Sequence, residues 1–315
     1  LDEVIEFPWV PWPVDASRQA AFGQALEILH LVAGVSYYKA GLAHEIDTGS
    51  ADVDTFMSAF LNRLYVQGLA EFAYVNSLDL DEYIRFEATT MGDEVDSRAT
   101  PLVLPERALV AMGGGKDSLV CLRLLQSMDI EVQPVCVGNS SLIGDTVKAA
   151  GLPLIRIRRT LSEQLAELNR AGAWNGHVPV TAINSAILLC AAILYGYRYV
   201  VFANEASANE ATLVDTHGRE VNHQFSKSFA FEQDFAGLIH RSVTPDIDYF
   251  SLLRPFSETA ITRRFADLQE FHDVFSSCNR NFHQDGSRIV GRWCLDCPKC
   301  RFTALALAQI GRAHV

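Results

Sequence analysis

The sequence lacks any hydrophobic run that approaches the roughly 18 residues of a membrane span. Its longest apolar stretch, Ala182 to Leu194, is interrupted by Asn184 and Ser185 and instead predicts a buried helix. The basic and apolar segments of a secretory signal are also missing from its start. These absences predict a cytoplasmic protein without membrane contact. Because the first residue is Leu1 rather than Met, we expect a processed or truncated chain.

Positive charge is scarce, with 26 Lys and Arg residues against 38 Asp and Glu residues and a formal net charge of -12. A broad nucleic-acid surface would need clustered Lys and Arg, so we expect no nucleic-acid partner. Seven cysteines without an export signal indicate a reducing compartment. Their odd number and local clustering favour metal binding over a disulfide framework.

The chain from Ala108 onward alternates predicted strands and helices. Strands are predicted over residues 108–112, 132–137, 154–157 and 199–203. Helices are predicted over residues 119–128, 140–150, 161–169 and 181–194, with Gly151 and Gly196 ending the second and the last. Repeated βα units imply an α/β fold, in which a parallel sheet carries helices on both faces.

Residues 1–104 contain helical patterns but no chemical motif. The first helix is predicted over residues 19–33, with Ser17 as its N-cap, and a second helical pattern covers residues 53–74. Four side chains between them could line a pocket: His30, Tyr37, Tyr38 and Lys39. We interpret them instead as packing aromatics and a solvated lysine.

The most informative motif is ALVAMGGGKDS, at residues 108–118. Three consecutive glycines let backbone N–H groups converge on an anion, because no Cβ blocks the approach. The N-terminus of the following helix adds a partial positive charge. The spacing fits neither the Walker pattern GxxxxGK[ST] nor the dinucleotide pattern GxGxxG. The motif therefore predicts a phosphate site of another type.

This motif resembles the PP-loop, SGGxDS, of the ATP pyrophosphatase superfamily, whose members release pyrophosphate and leave AMP on a substrate. The resemblance implies the adenine nucleotide alpha hydrolase-like (HUP) fold, with ATP and Mg²⁺ as ligands. It implies that backbone N–H groups and one hydroxyl bind the departing phosphates, at Gly113, Gly114, Gly115 and Ser118. Lys116 would offset negative charge, and Asp117 would orient Mg²⁺.

Further turns fall at predicted strand ends, where ligands of parallel sheets bind. Gly138 and Asn139 follow the second strand, and Asn204 and Glu205 follow the strand at 199–203. The run at 175–185 resembles the VPxRN-like turn near the nucleotide in 7-cyano-7-deazaguanine synthases, although the matching Arg is absent. We expect Gly138 and Asn139, and through this resemblance His177, to belong to the ATP site.

Six polar side chains crowd into residues 222–228: Asn222, His223, Gln224, Ser226, Lys227 and Ser228. This mixture suits a polyoxygenated, anionic ligand, although a solvated loop would have a similar composition. Because the segment follows the strand end at Asn204, we interpret it as a loop of the functional site.

Cysteine spacing predicts a metal site near the C-terminus. Cys278, Cys294, Cys297 and Cys300 can surround one tetrahedral Zn²⁺ in a closed, structural site. His272 and His283 are alternative ligands, and Cys278 could instead serve as an active-site thiolate, although the spacing favours a ligand. The remaining cysteines lie in apolar runs and are predicted to be buried thiols.

Several separate blocks between about residue 28 and residue 303 are similar to the UDP-N-acetylmuramoyl-L-alanyl-L-glutamate epimerases, the MurL family. They are HLVAGVSYYKAG, GGGKDS, NEASANE, VNHQFSKS, SSCNRNF and WCLDCPKC. The resemblance implies an ATP-dependent isomerase of peptidoglycan precursor synthesis that acts on a UDP-N-acetylmuramoyl dipeptide. It implies that the glutamate carboxylate is adenylated, which makes the Cα proton acidic enough for a side-chain base.

Inversion at Cα requires acid and base groups on opposite faces, or one mobile group. His223, Lys227 and His177 are the candidates by chemistry and position, and His217 and His240 are weaker ones. Five arginines are available for the charges of UDP and of the carboxylates: Arg156, Arg158, Arg254, Arg263 and Arg264. The oligomeric state is left open.

The predicted organisation is a mostly helical, substrate-contacting domain over residues 1–104, a PP-loop catalytic domain over 105–270 and a Cys₄ zinc subdomain over 271–315. The main alternative is a ligase similar to the 7-cyano-7-deazaguanine synthases, which would share the PP-loop and the zinc site. A tRNA-thiolating enzyme is disfavoured by the charge. A non-catalytic nucleotide-binding module is the alternative from another class.

Overall fold

The structure is a computed structural model that describes residues 1–10, 14–89, 98–215, 218–281 and 289–310. The strands of this part of the chain are β1 (Val4–Glu6), β2 (Arg107–Ala111), β3 (Glu131–Val137), β4 (Ile155–Thr160), β5 (Tyr199–Phe202), β6 (Leu213–Val214), β7 (Glu220–Val221) and β8 (Asp248–Ser251). Six of them form one sheet in the order β1-β4-β3-β2-β5-β8, and β6 and β7 form a separate hairpin.

The helices of the same part of the chain are α1 (Ala16–Ala33), α2 (Val35–Gly41), α3 (Thr55–Gly68), α4 (Ala70–Asn76), α5 (Lys116–Ser127), α6 (Ser141–Ala149), α7 (Glu163–Arg170), α8 (Val180–Tyr195), α9 (Phe229–Ser242), α10 (Glu258–Ala266) and α11 (Pro298–Gln309). Short 3₁₀ turns include Phe225–Lys227 and Asn279–Asn281. None of these helices is long and apolar enough to cross a membrane.

The sheet is mainly parallel and confirms the predicted α/β class. Strands β4, β3, β2, β5 and β8 are parallel, and β1 pairs antiparallel with β4 at one edge. The chain runs from β2 outward through β3 to β4, and then crosses to β5 on the other side of β2. This reversal creates a switch point at the carboxyl end of β2, where ligands of doubly wound sheets bind.

Helices cover both faces of the sheet, as predicted. Successive residues of β2 point to opposite faces, so Leu109 joins one core and Val110 joins the other. The first core contains α8 together with α1, α3 and α9, and the second contains α5, α6 and α10. Residues 185–194 of α8 are all buried, which confirms the prediction for this apolar stretch.

The N-terminal helices differ in detail from the prediction. The N-cap of α1 is Asp15 rather than Ser17, and its carboxylate accepts a hydrogen bond from the backbone N–H of Arg18 at 3.0 Å. A carboxylate at this position also interacts favourably with the helix dipole. The helical pattern at 53–74 forms two helices, α3 and α4, which meet at Leu69. The division of the chain into three domains remains a prediction.

Candidate functional site

The glycine loop lies where β2 ends and α5 begins, at the carboxyl edge of the sheet. Gly114 has a φ of +77°, and a Cβ at this position would come within 3.1 Å of Ile143. A Cβ on Gly113 would meet open space, so the loop backbone borders a free volume. The first turn of α5 has no side-chain cap, which leaves its N–H groups available to an anion.

The ammonium of Lys116, the residue that follows the loop, is buried and forms two ion pairs. Its Nζ is 2.5 Å from Oδ1 of Asp117 and 2.5 Å from Oε1 of Glu258, and only 5% of the side chain is exposed. Burial opposes the charge, but the two carboxylates outweigh it and raise the pKa of Lys116. Ser118 donates its hydroxyl hydrogen to the carbonyl of Gly115 at 3.0 Å. Lys116 is therefore fixed in position, whereas 40% of the Asp117 side chain is exposed.

The neighbouring strand end, after β3, holds Gly138 and Asn139. Gly138 has a φ of +103° and donates its N–H to the carbonyl of Ile157 at 2.8 Å. The guanidinium of Arg156 donates to the carbonyls of Gly138 and Ser140, both at 3.1 Å. Arg156 thus stabilises this turn, and Asn139 remains exposed at the sheet edge.

A cavity of about 310 Å³ is lined by the loop that precedes α8, by the 3₁₀ turn at Phe225–Lys227 and by the start of α11. Its polar lining is His177, Thr181, His223, Gln224, Ser226, Lys227 and Lys299. The structure therefore brings together three residues for which the sequence predicted chemistry: His177, His223 and Lys227. Asn222 and Ser228, by contrast, cap neighbouring backbone groups.

The amine of Lys227 lies in a cavity wall that disfavours its charge. Burial, and then the charge of Lys299, lower the pKa of Lys227, while the carboxylates of Asp117 and Glu205 partly offset the shift. A lowered pKa makes an amine a more effective proton carrier near neutral pH.

The two histidines of the cavity lie against each other, with ring centroids 6.3 Å apart. Nδ1 of His177 is 3.7 Å from Oε2 of Glu71 on α4, and Nδ1 of His223 hydrogen-bonds the hydroxyl of Thr212. Burial lowers the pKa of His177, as do the charges of His223 and Lys227, whereas Glu71 raises it. The net shift favours a neutral imidazole, which can accept a proton.

Arg254 holds the loops around Lys227 in place. Its guanidinium donates to Oε2 of Glu232 at 2.8 Å, to the carbonyl of Lys227 at 2.8 Å and to that of Glu205 at 3.1 Å. The side chains of Arg254 and Glu232 are 13% and 10% exposed, so the pair is buried. These contacts give Arg254 a structural role in the scaffold of the loops.

The four predicted cysteine ligands come together. The Sγ atoms of Cys278, Cys294, Cys297 and Cys300 lie within 4.8 Å of one another, with Cys294 and Cys300 at 3.7 Å. Sulfurs on one tetrahedral Zn²⁺ would be about 3.8 Å apart, given Zn–S bonds of about 2.3 Å. The backbone N–H groups of Asp296 and Cys297 lower the pKa of Cys294 to about 6. The donor set therefore fits a metal ion.

The cysteine segment also touches the glycine loop. Ser276 donates its backbone N–H to the carbonyl of Gly114 at 3.2 Å. A Cβ on Gly115 would come within 2.9 Å of Oγ of Ser277, so the side chain of Ser277 packs closely against the loop. The segment that supplies Cys278 therefore supports the loop that follows β2.

Other sequence candidates lie elsewhere. Lys39 is not solvated, which corrects that expectation: it is 4% exposed, and its Nζ donates to Oδ1 of Asn175 at 2.6 Å. His240 and His272 hydrogen-bond the backbone carbonyls of Ile247 and Phe265, outside the cavity and the cysteine cluster. His217 and His283 lie outside the described residues.

The prediction missed Lys299 and Glu71. Lys299 carried one usable signal, because it stands between Cys297 and Cys300 and a bound metal would fix its position. The sequence contained no such signal for Glu71, because an acidic residue in the first turn of a helix is commonly explained by its interaction with the helix dipole.

Comparison with known proteins gives matches along nearly the whole chain. Residues 1–252 match the family model described as the MurL N-terminal domain, and residues 274–314 match the MurL C-terminal domain. A relative from Xanthomonas oryzae pv. oryzae, named UDP-N-acetyl-alpha-D-muramoyl-L-alanyl-L-glutamate epimerase, is 47% identical over 98% of this chain and 67% of its own length.

Two relatives with the same printed name come from Salinispora tropica and from a Micromonospora strain. Each is 40% identical over 97% of this chain, which covers 66% and 67% of their respective lengths. The chain thus spans about two thirds of these relatives. Both the family models and the identities lead to one conclusion: this chain belongs to the MurL family.

Proposed function

We propose that this protein converts the terminal L-glutamate of UDP-N-acetylmuramoyl-L-alanyl-L-glutamate to D-glutamate, with consumption of ATP, in cytoplasmic synthesis of peptidoglycan precursors. The names of its relatives support this substrate and this epimerisation. The observation that carries the proposal is the cavity in which His177, His223 and Lys227 meet.

The first proposed step is adenylation, as in the PP-loop enzymes that the glycine motif resembles. An oxygen of the glutamate α-carboxylate attacks the α-phosphorus of ATP, and the bond to pyrophosphate breaks. Backbone N–H groups of Gly113, Gly114 and Gly115 would bind the departing phosphates, supported by the open space beside Gly113. Lys116 would offset their charge, and Ser118 would stabilise the loop.

Mg²⁺ would neutralise charge on the pyrophosphate. Asp117 fits the role of its protein ligand, because its carboxylate stands in the first turn of α5 and is 40% exposed. Hard divalent cations prefer such oxygen donors, and Mg²⁺ binds through one or two carboxylates plus phosphate. The exposed strand end at Gly138 and Asn139 lies beside the same edge, where the rest of ATP would bind.

The second proposed step is inversion at Cα. Adenylation removes the carboxylate charge, so a base can break the Cα–H bond and the electron pair passes into the activated acyl group. A second group then donates a proton to the opposite face, and water cleaves the acyl–phosphate bond to release AMP. His223, Lys227 and His177 supply the acid and base groups within one cavity.

The four cysteines would hold a structural Zn²⁺. Four thiolates complete a tetrahedral shell, which leaves no position for substrate. The burial of Cys278 and its place in the cluster support a ligand role over that of an active-site thiolate. Through the contact between Ser276 and Gly114, the metal would stabilise the nucleotide loop.

The direct test incubates the purified full-length protein with ATP, Mg²⁺ and the UDP-muramoyl dipeptide. AMP release is measured together with the chirality of glutamate after acid hydrolysis. AMP with D-glutamate is the expected result. AMP without D-glutamate would instead indicate ligase-type adenylation, and neither product, from folded and zinc-replete protein, would contradict the proposed function.

A further inference from the structure

The loop at residues 175–179, which carries His177 into the cavity, is held from behind by the N-terminal helices. Lys39 of α2 donates to Oδ1 of Asn175 at 2.6 Å, and the same oxygen accepts the N–H of Gly176 at 3.0 Å. A Cβ on Gly176 would come within 2.8 Å of the Phe72 ring of α4. The backbone on both sides of Gly176 is therefore tightly constrained.

Glu71, the residue of α4 that precedes Phe72, faces the imidazole of His177. Its Oε2 lies 3.7 Å from Nδ1 of His177. This separation is that of a charge pair rather than of a direct hydrogen bond. Hydrogen bonds between catalytic groups are often long before substrate binds, and they shorten in the substrate complex. The geometry orients Nδ1 toward the carboxylate, which leaves Nε2 as the proton acceptor.

His223 has a different environment. Its Nδ1 hydrogen-bonds the neutral hydroxyl of Thr212, and among the described residues no carboxylate forms an ion pair with it. A carboxylate partner fixes the tautomer of a histidine base and stabilises the imidazolium that forms, which a hydroxyl does less well. His177 is thus the better-supported base of the two.

We propose that His177 is a proton-transfer residue at the glutamate Cα and that Glu71 is its positioning residue. This inference rests on the proposed epimerisation and assigns one of its two acid and base groups. As the Cα–H bond breaks, the proton passes to Nε2 of His177 and the electron pair enters the activated acyl group. The ammonium of Lys227 then returns a proton to Cα from the other segment of the cavity wall.

The charged groups around His177 decide the expected pH dependence. Glu71 faces it from α4, His223 and Lys227 face it from the segment at 223–227, and Lys299 of α11 lines the same cavity. Only Glu71 among these four is negative. Its removal leaves His177 near the ammonium groups of Lys227 and Lys299 without a carboxylate partner, which shifts the histidine's protonation to lower pH.

The test compares Glu71→Gln, Glu71→Asp and His177→Asn with wild type in D₂O. Three quantities are measured: AMP release, deuterium incorporation at Cα and D-glutamate formation. We expect Glu71→Gln to lower deuterium incorporation and D-glutamate formation by about tenfold, and His177→Asn to lower them by about 100-fold. AMP release should stay within about twofold of wild type in Glu71→Gln, and Glu71→Asp should recover part of the loss.

Two further readouts separate positioning from mere stability. The acid limb of the kcat/KM profile for epimerisation should move to lower pH in Glu71→Gln. Glu167→Gln, a matched change on the exposed face of α7, should change none of these quantities. Unchanged deuterium incorporation in Glu71→Gln, or equal losses of AMP and deuterium, would overturn the inference. A wild-type enzyme that forms neither AMP nor D-glutamate would instead reject the proposed function itself.

Discussion

Nζ of Lys116 lies 2.5 Å from Oε1 of Glu258, so the residue after the glycine loop is ion-paired with the first turn of α10. Glu258→Gln removes one of the two carboxylates that compensate a buried ammonium. We expect the variant to lose about 1 kcal/mol of stability, which corresponds to a fall of about 2–3 °C in Tm. Differential scanning calorimetry measures this change. The same Tm as wild type would show that Asp117 alone suffices.

Asp117 is expected to be essential for adenylation. Asp117→Asn keeps the shape of the side chain but removes the charge that would bind Mg²⁺, so AMP formation should fall by about 100-fold or more. The matched control is Asp129→Asn, in an exposed turn at a φ of +59° that Asn tolerates well. Rapid-quench measurement of AMP compares the two. Retained turnover in Asp117→Asn would remove this residue from the mechanism.

The buried pair of Arg254 and Glu232 should dominate the stability of the cavity loops. Arg254→Met leaves the Glu232 carboxylate buried without a cation and should cost about 3–5 kcal/mol in urea unfolding. The double variant Arg254→Met, Glu232→Leu should lose much less than the sum of the single variants, because no charge is then left unpaired. Additive losses would argue against this pairing.

Lys39→Met should separate stability from activity. Burial lowers the pKa of Lys39 below its ordinary value of 10.5, so the unfolded chain binds the proton more tightly than the folded chain does. The resulting destabilisation is fully present below the lowered pKa and disappears as pH rises through 10.5. We expect the variant to be more stable by about 1 kcal/mol at pH 7, with a difference that shrinks at alkaline pH.

The same variant loses the hydrogen bond that anchors Asn175, so D-glutamate formation should fall although the fold is more stable. Lys148→Met, at an exposed position of α6, is the matched control and should change neither quantity. A Lys39→Met variant with full activity would show that the anchor is dispensable.

Cys297→Ser should lower the zinc content, measured by mass spectrometry of metals, and should lower Tm as well. The loss follows because the binding free energy of a structural metal contributes to folding. Cys136→Ala removes a buried thiol outside the cluster and should leave zinc content unchanged. Equal zinc in Cys297→Ser and wild type would contradict the tetrahedral site.

Sequence patterns predicted strands β2 to β5 and helices α5 to α8, because each is marked by a run of apolar residues or by a terminal glycine. The patterns did not predict β1 and β8, which have three and four residues. These segments are recognisable as strands only through their pairing with β4 and β5. The cysteine cluster was predictable from spacing, since metal ligands recur at fixed intervals.

Burial and long-range pairing were harder to predict. Lys39 looks like a surface residue in sequence, and only its contact with Asn175, far along the chain, shows why it is buried. Glu71 likewise acquires its relation to His177 through the packing of α4 on the loop before α8. Local patterns contain no signal for contacts of this kind.

The hydrogen bond from Ser276 to Gly114 has a consequence for protein engineering. It joins the cysteine-rich segment to a glycine loop that is far away in the sequence, with Ser277 packed against Gly115 beside it. A chimera could take its cysteine-rich segment from one relative and its glycine loop from another. Its two contacting surfaces would then come from different proteins and would not be matched to each other. Domain exchange within this family should therefore transfer both segments from the same parent.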